Sequence, residues 1–317
     1  MASRELKSTD AGAPQLVGNT KNSLNAVLKA ALVDGYGETA PLGWDLVYEE
    51  LDQGVCVFRP KIGSRMFLQI IDDNSFGNGR VAKAQSYESM QSAFIGVMPC
   101  MPDNLTYVHK IYSNNTTLSV PWHIIGDERG FYLLTRVHYN MSVNYKNGIK
   151  IAYFGQGVST EDPDYTSKYN WLQWTLEQYD NVQNISQTMY VYMMRHPVTR
   201  LRGPLAASSL TSIGGLVSDS AYFGARCNGS IGGTYGYTPV RNVMRSNIFS
   251  CNFPGLFEPL FNYGVPYRRQ QILYEEIDDN NTIVSFPCGP IMSNSAYSNY
   301  LDSRLSFLIG DKFRDVF

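Results

Sequence analysis

The chain has 317 residues, 44% of them hydrophobic and 13% aromatic, with a net charge of −2. That length allows one large or two ordinary domains, and the near-neutral balance excludes binding driven by phosphate neutralisation, so no nucleic acid is expected as a partner. No apolar run approaches the ~20 residues of a membrane span, and the opening MASRELKSTD lacks the apolar stretch of a secretory signal, so neither a membrane nor an export route is expected.

Charged residues make up only 17% of the chain, and tyrosines number 22. A surface so poor in charge suits a protein partly covered by neighbours, and Tyr is favoured at interfaces because it buries area while keeping a polar tip. The five cysteines (Cys56, Cys100, Cys227, Cys251, Cys288) are scattered, with no C-x-x-C pair. They read as reduced thiols of a protein made in a cytoplasm, and Cys100, between Pro99 and Met101, as an inert buried one.

In chain order, Met1 to Thr20 is small and polar and reads as an extended arm or a flexible lead, ordered only by neighbours in an assembly. Leu24, Val27, Leu28, Ala31 and Leu32 then fall at i, i+3, i+4, i+7 and i+8, the stripe of one amphipathic helix over Asn22 to Asp34. Asn22 or Ser23 can cap its start and Gly35 can close it. From Trp44 the period changes to two. Strands are expected at Trp44 to Tyr48, Val55 to Phe58, Met66 to Ile71, Ala82 to Met90, Tyr107 to Tyr112, Leu118 to Trp122 and Ile149 to Phe154.

The stretch PWHIIGDERGFYLLTRV, Pro121 to Val137, reads as an antiparallel hairpin. Two β-rich runs flank a five-residue loop, Gly126-Asp127-Glu128-Arg129-Gly130. Apolar residues on both faces of Phe131 to Val137 place it centrally rather than at an edge. Gly155 to Asn170 is rich in turn residues and is the best boundary candidate. Beyond it lie an aromatic cluster at Trp171, Leu172 and Trp174, and a strand at Thr188 to Arg195. A Gly/Ser-rich stretch from Pro204 to Gly236 reads as mostly loop, and Asn252 to Phe261 as a segment packed without regular structure. Strands at Gln271 to Tyr274, Thr282 to Phe286 and Leu305 to Ile309 end the chain. The expected fold is mainly β, with antiparallel β-sandwich-like sheets, one N-terminal helix and long ordered loops. The expected organisation is an arm over 1–20, a helix-plus-β domain over 21–155, and a β-rich, loop-rich region over 156–317 that is either separate or continuous with it.

Chemistry-bearing clusters are sparse. Asp127, Glu128 and Arg129 could form a small ion or substrate site, but a solvated turn is the expected reading. His109, His123, His138 and His196 share no metal-ligand spacing, although His123 and His138 both flank the hairpin. The acid pairs Asp72-Asp73, Glu275-Glu276 and Asp278-Asp279 are poor acid/base pairs if on strands, because neighbours on a strand point to opposite faces. In a loop they could take a hard cation, without an EF-hand pattern. The glycines at Gly224, Gly229, Gly232, Gly233 and Gly236 form no phosphate-binding motif, and no G-x-S-x-G elbow occurs. Neither a metal nor a cofactor is expected.

Several segments, in order, resemble a family of tailed-phage and prophage virion proteins. They are STDAGAPQLVGNTKNSLNAVLKAALVDGYG at the start, LGWDLVYEE with VCVFRP, MFLQIIDDNS, AQSYESM, PWHIIGDERGFYLLT, FPGLFEPLF and LSFLIGDKF. The hairpin is similar to that family's W-x-x-x-GDERTFYLF. Residues 161–236 match poorly, Gln85 and Ser86 stand where the family has Arg and Gly, and Phe313 replaces a final Trp. The resemblance implies a structural virion component of neck, collar, tail or baseplate, without enzymatic activity. Its partners would be copies of itself and other virion proteins, with a possible host-surface contact. Trp122, Gly126, Asp127, Glu128, Arg129, Gly130 and Phe131 would be a structural hairpin. The rival expectations are a receptor- or carbohydrate-binding virion module and a tail-borne envelope hydrolase.

Overall fold

The computed structural model describes residues 2–76, 79–98, 106–110, 117–135, 150–158, 171–176, 189–193, 209–212, 237–243, 250–259, 272–287 and 304–315. Three antiparallel sheets dominate. An N-terminal meander runs in the order Trp44–Glu50, Val55–Pro60, Phe67–Ile71, Val81–Tyr87, Thr106–His109. The central sheet runs Arg4–Lys7, Trp122–Asp127, Gly130–Thr135, Lys150–Gln156, Trp171–Leu176, Met189–Met193. The outer sheet runs Ser209–Ser212, Tyr237–Val243, Ser250–Pro259, Arg304–Gly310, Asn281–Pro287, Leu273–Asp278. The fold is mainly β and sandwich-like, as the short period-two runs imply.

The pleat explains why the central sheet is a middle layer. Side chains alternate across a strand, and here both sets are apolar. Trp122, Ile124, Phe131, Leu133, Ala152 and Phe154 join the helix and the N-terminal sheet in one core cluster. On the opposite face Tyr132 packs edge-on against Phe307 and Phe313, Tyr153 against Phe253, and the Tyr132 hydroxyl donates to the Pro254 carbonyl at 2.8 Å. Every residue of Trp122–Asp127 and Gly130–Thr135 is buried.

The helix stripe is confirmed: Leu24, Val27, Leu28, Ala31 and Leu32 are all buried. The helix differs from expectation at both ends. The α-helical part is Ser23–Lys29, and a π-helical turn, Ala30–Asp34, carries the chain to Gly35. Neither Asn22 nor Ser23 supplies a cap. Asn22 sits at φ 64°, and the helix's first turn is satisfied instead by Asp72, whose Oδ2 accepts from the Leu24 N–H at 2.8 Å. A carboxylate from the residue just after the strand Phe67–Ile71 meets an orphan donor and the positive end of the helix.

Two other expectations are revised. The opening segment is not an arm awaiting a neighbour: Arg4–Lys7 pairs with Trp122–Asp127, Leu6 is buried, and Ser3 exchanges backbone and side-chain hydrogen bonds with Gly310. The strands Lys150–Gln156 and Trp171–Leu176, on either side of residues 157–170, pair with each other, Gly155 opposite Leu172. The segment expected to lack regular structure is the strand Ser250–Pro259, in which Leu256 and Phe257 pair with Phe307 and Ser306. An aromatic-rich strand can carry Pro and Gly where pairing is interrupted. His138, His196, Cys100 and most of Pro204 to Gly236 lie outside the described residues.

Candidate functional site

The hairpin is tighter than the glycine pattern implies. Asp127 pairs with Gly130, leaving only Glu128 and Arg129 in the turn. Two-residue hairpins favour positive φ in the turn to match strand twist, yet neither turn residue adopts it. Asp127 compensates. Its Oδ1 accepts from the backbone N–H of Arg129 at 2.9 Å and of Gly130 at 3.1 Å, the local closure for which Asp is favoured in turns. The bounding glycines serve close packing: a side chain at Gly126 would strike Phe131, and one at Gly130 the Tyr153 hydroxyl.

Asp127 is also the centre of a clamp, which corrects the expectation of a solvated charged turn. It is buried, and Glu128 and Arg129 are half-buried. Arg314, from the C-terminal turn Asp311–Arg314, donates from Nε to Asp127 Oδ2 at 2.5 Å and from Nη2 to Oδ1 at 2.7 Å. Its Nη1 donates to the Gln156 carbonyl at 2.7 Å, which also accepts from the Tyr153 hydroxyl at 2.7 Å. The Trp44 indole N–H donates to the Asp127 carbonyl at 3.3 Å. Burial alone would lower the Arg314 guanidinium; the facing Asp127 carboxylate outweighs it and raises its affinity for the proton. A carboxylate engaged by four donors at once is placed to hold strands together. It is badly placed to accept a proton from a substrate or to bind a cation.

Other polar groups converge elsewhere. His123 Nδ1 lies 2.7 Å from Glu5 Oε1, and Tyr274 donates to both Glu5 oxygens at 3.1 and 3.3 Å. Burial would raise the Glu5 carboxyl; the hydrogen bond and charge of His123, with Lys7 and Tyr274, reverse the balance and hold it below the ordinary range. The cluster ties the N-terminal strand to the outer sheet. Asp72, flagged in sequence as half of an acid pair, is fully buried beside the equally buried Lys110, 2.5 Å away. An ammonium thus stands where a hard cation was considered. Cys56 is buried, and burial pushes its thiol up to about 12, which suppresses the reactive thiolate. Among the described residues no three His, Cys, Asp or Glu side chains are grouped to hold a metal ion.

Two surface features were not legible. A small hairpin, Ser89–Ser92 with Ile95–Val97, projects Phe94, Ile95 and Val97 at 46, 57 and 40% exposure. No charged residue lies between Ser89 and Met98. Phe94 sits at φ 64°, an uncommon conformation for a bulky residue, and its backbone N–H is held by the buried Gln69 side chain at 2.8 Å. Separately, Phe76 stacks on Tyr107 with ring centroids 4.6 Å apart, and the Lys83 ammonium lies 5.7 Å above Phe76.

No protein-family model matches the chain, and no curated protein matches it.

Proposed function

We propose that this protein is a structural component of a tailed-phage particle, at the neck, collar, tail or baseplate, and that it assembles in several copies through protein–protein contacts. The observation that carries the reading is the uncharged hairpin tip, with Phe94, Ile95 and Val97 held out to solvent on a backbone fixed by Gln69. An exposed apolar element on a rigid support is what a subunit contact requires. The consumption of Asp127 and Arg314 in an internal clamp supports it, since the most chemistry-like stretch of the chain is used to join layers. Low overall charge and the weight of tyrosine point the same way.

The test is to purify particles, identify this chain in them by mass spectrometry and count its copies by density mapping. Repeated copies in a ring or appendage support the reading. Recovery only outside the particle fraction overturns it.

A second reading, attachment to a host-surface glycan, is favoured by the Phe76–Tyr107 stack with Lys83 beside it, since aromatic faces bind sugar rings. Glycan-array binding that is lost in Phe76→Ala would support that reading.

A further inference from the structure

One end of the N-terminal sheet brings an amine, a carboxyl and a carboxamide together. Asp72 follows the strand Phe67–Ile71, and Lys110 follows Thr106–His109, the strands on either side of Val81–Tyr87. The side chains of Asp72 and Lys110 are completely buried. Lys110 Nζ lies 2.5 Å from Asp72 Oδ1, 3.2 Å from Asn74 Oδ1 and 3.2 Å from the Thr20 carbonyl. Asn74 is fixed at φ 63°, with its Nδ2 donating to the Asn19 carbonyl at 2.6 Å.

We propose that Lys110 and Asn74 join in an intramolecular isopeptide bond, with Asp72 as the acid–base catalyst of its formation. Lys110 first passes a proton to the Asp72 carboxylate. The freed Nζ lone pair attacks Asn74 Cγ, making the new C–N bond as the carbonyl π electrons move to Oδ1. Asp72 then relays a proton from Nζ to Nδ2. The carbonyl reforms, the Cγ–Nδ2 bond breaks, and ammonia leaves with the surplus proton as ammonium. An amine and a carboxamide become a secondary amide plus ammonia, with no redox partner.

Three physical features favour this step. The carbonyl whose oxygen accepts the Lys110 hydrogen bond carries the carbon to be attacked, so the reactants are already neighbours; such pre-positioning can equal an effective concentration of ~10⁵ M or more. Burial disfavours charge on both ionisable partners. It lowers the Lys110 ammonium and raises the Asp72 carboxyl against their mutual attraction, toward the neutral amine and acid that the reaction needs. Asn74 is only partly buried and its bond to Asn19 lies at the surface, which gives the ammonia an exit. The bond would staple the edge strand Thr106–His109 to the loop after Phe67–Ile71, preventing that edge from peeling away.

The test is the mass of the full-length folded protein, measured after denaturation and followed by peptide mapping. The expected mass is one ammonia below that of the sequence, with a branched peptide joining residues 74 and 110. Lys110→Arg and Asn74→Gly should both restore the full mass. Asn74→Gly tolerates the positive φ and leaves the Asp72–Lys110 pair in place, so it remains decisive if Lys110→Arg does not fold. Three results overturn the bond: full mass in the wild type after prolonged incubation, an ammonia loss that persists in Lys110→Arg, or a loss of water mapped to Lys110 and Asp72. Cross-linking that proceeds unchanged in Asp72→Asn removes Asp72 from the catalytic role.

Discussion

Asp127 and Arg314, 187 positions apart in the chain, meet as a two-bond carboxylate–guanidinium pair at the end of the central hairpin. The pair joins the turn of one sheet to the turn that follows the last strand of another. Removing one partner of a buried pair strands the other charge, so Arg314→Ala should destabilise the fold by ~3–5 kcal/mol. Glu128→Ser, changing a half-buried turn residue, should cost ~1 kcal/mol or less. Chemical denaturation of both variants checks the contrast. Equal, small losses would show that the clamp contributes little.

The N-terminal strand should behave as core. Leu6 is 1% exposed within the main apolar cluster, and Leu6→Ala should cost ~2–5 kcal/mol through lost burial and the cavity left behind. Deleting residues 2–7 would also expose the edge of Trp122–Asp127. The truncated chain should lose its cooperative thermal transition. A truncation with wild-type melting behaviour would make the strand dispensable.

Trp122 and Phe131 are fully buried, and the Trp122 indole N–H donates to the Pro14 carbonyl at 2.9 Å. Replacing either by Ala should cost ~3–5 kcal/mol. Urea midpoints at constant slope report this directly.

Glu5 gives the fold an acid-sensitive joint. Its carboxyl is depressed in the folded state below the ordinary 4.5. A depressed carboxyl contributes stability that is fully present above its unfolded value and is lost as pH falls through its folded value. The charged and titratable groups facing it are His123, Lys7 and Tyr274. The wild type should therefore lose stability as pH falls below about 4.5, and Glu5→Gln should flatten that part of the profile. Melting temperature against pH for the two proteins is the measurement, and parallel profiles would exclude Glu5 as the cause.

Phe94 should separate stability from assembly. Ile95→Ser should change stability by no more than ~0.5 kcal/mol, as for an ordinary surface position. Phe94→Gly should stabilise by ~1 kcal/mol if positive φ is strained there. Both should reduce incorporation into particles while leaving the monomer folded. Full incorporation of the double variant would move the subunit contact elsewhere.

Local pattern was sufficient for the elements whose determinants are local. The stripe from Leu24 to Leu32 specifies a helix because 3.6 residues complete a turn, and the β-rich run Phe131 to Thr135 after a glycine-bounded turn specifies a strand. Apolar residues on both faces of that strand already required a layer on each side. Boundaries were less legible. Asn22 looks like a cap by type, but the cap is Asp72, placed there by a sheet that forms far along the chain. Glycines at 126 and 130 suggested a wide loop, whereas Asp127 closes a two-residue turn with its own side chain.

Residue order was enough to specify the mainly-β class, the amphipathic helix and the central position of the hairpin, since each follows from local residue pattern and from which faces are apolar. The pairing of the buried charges, by contrast, was set by packing. Arg314 is one cation among many until the turn after the strand Arg304–Gly310 brings it to Asp127, and Lys110 is one surface-type cation until Asp72 and Asn74 close around it. Coulomb interactions and hydrogen bonds depend on distance in space and on exclusion of water. Neither quantity is written in residue order, so the partners of a buried charge emerge only when the sheets have packed.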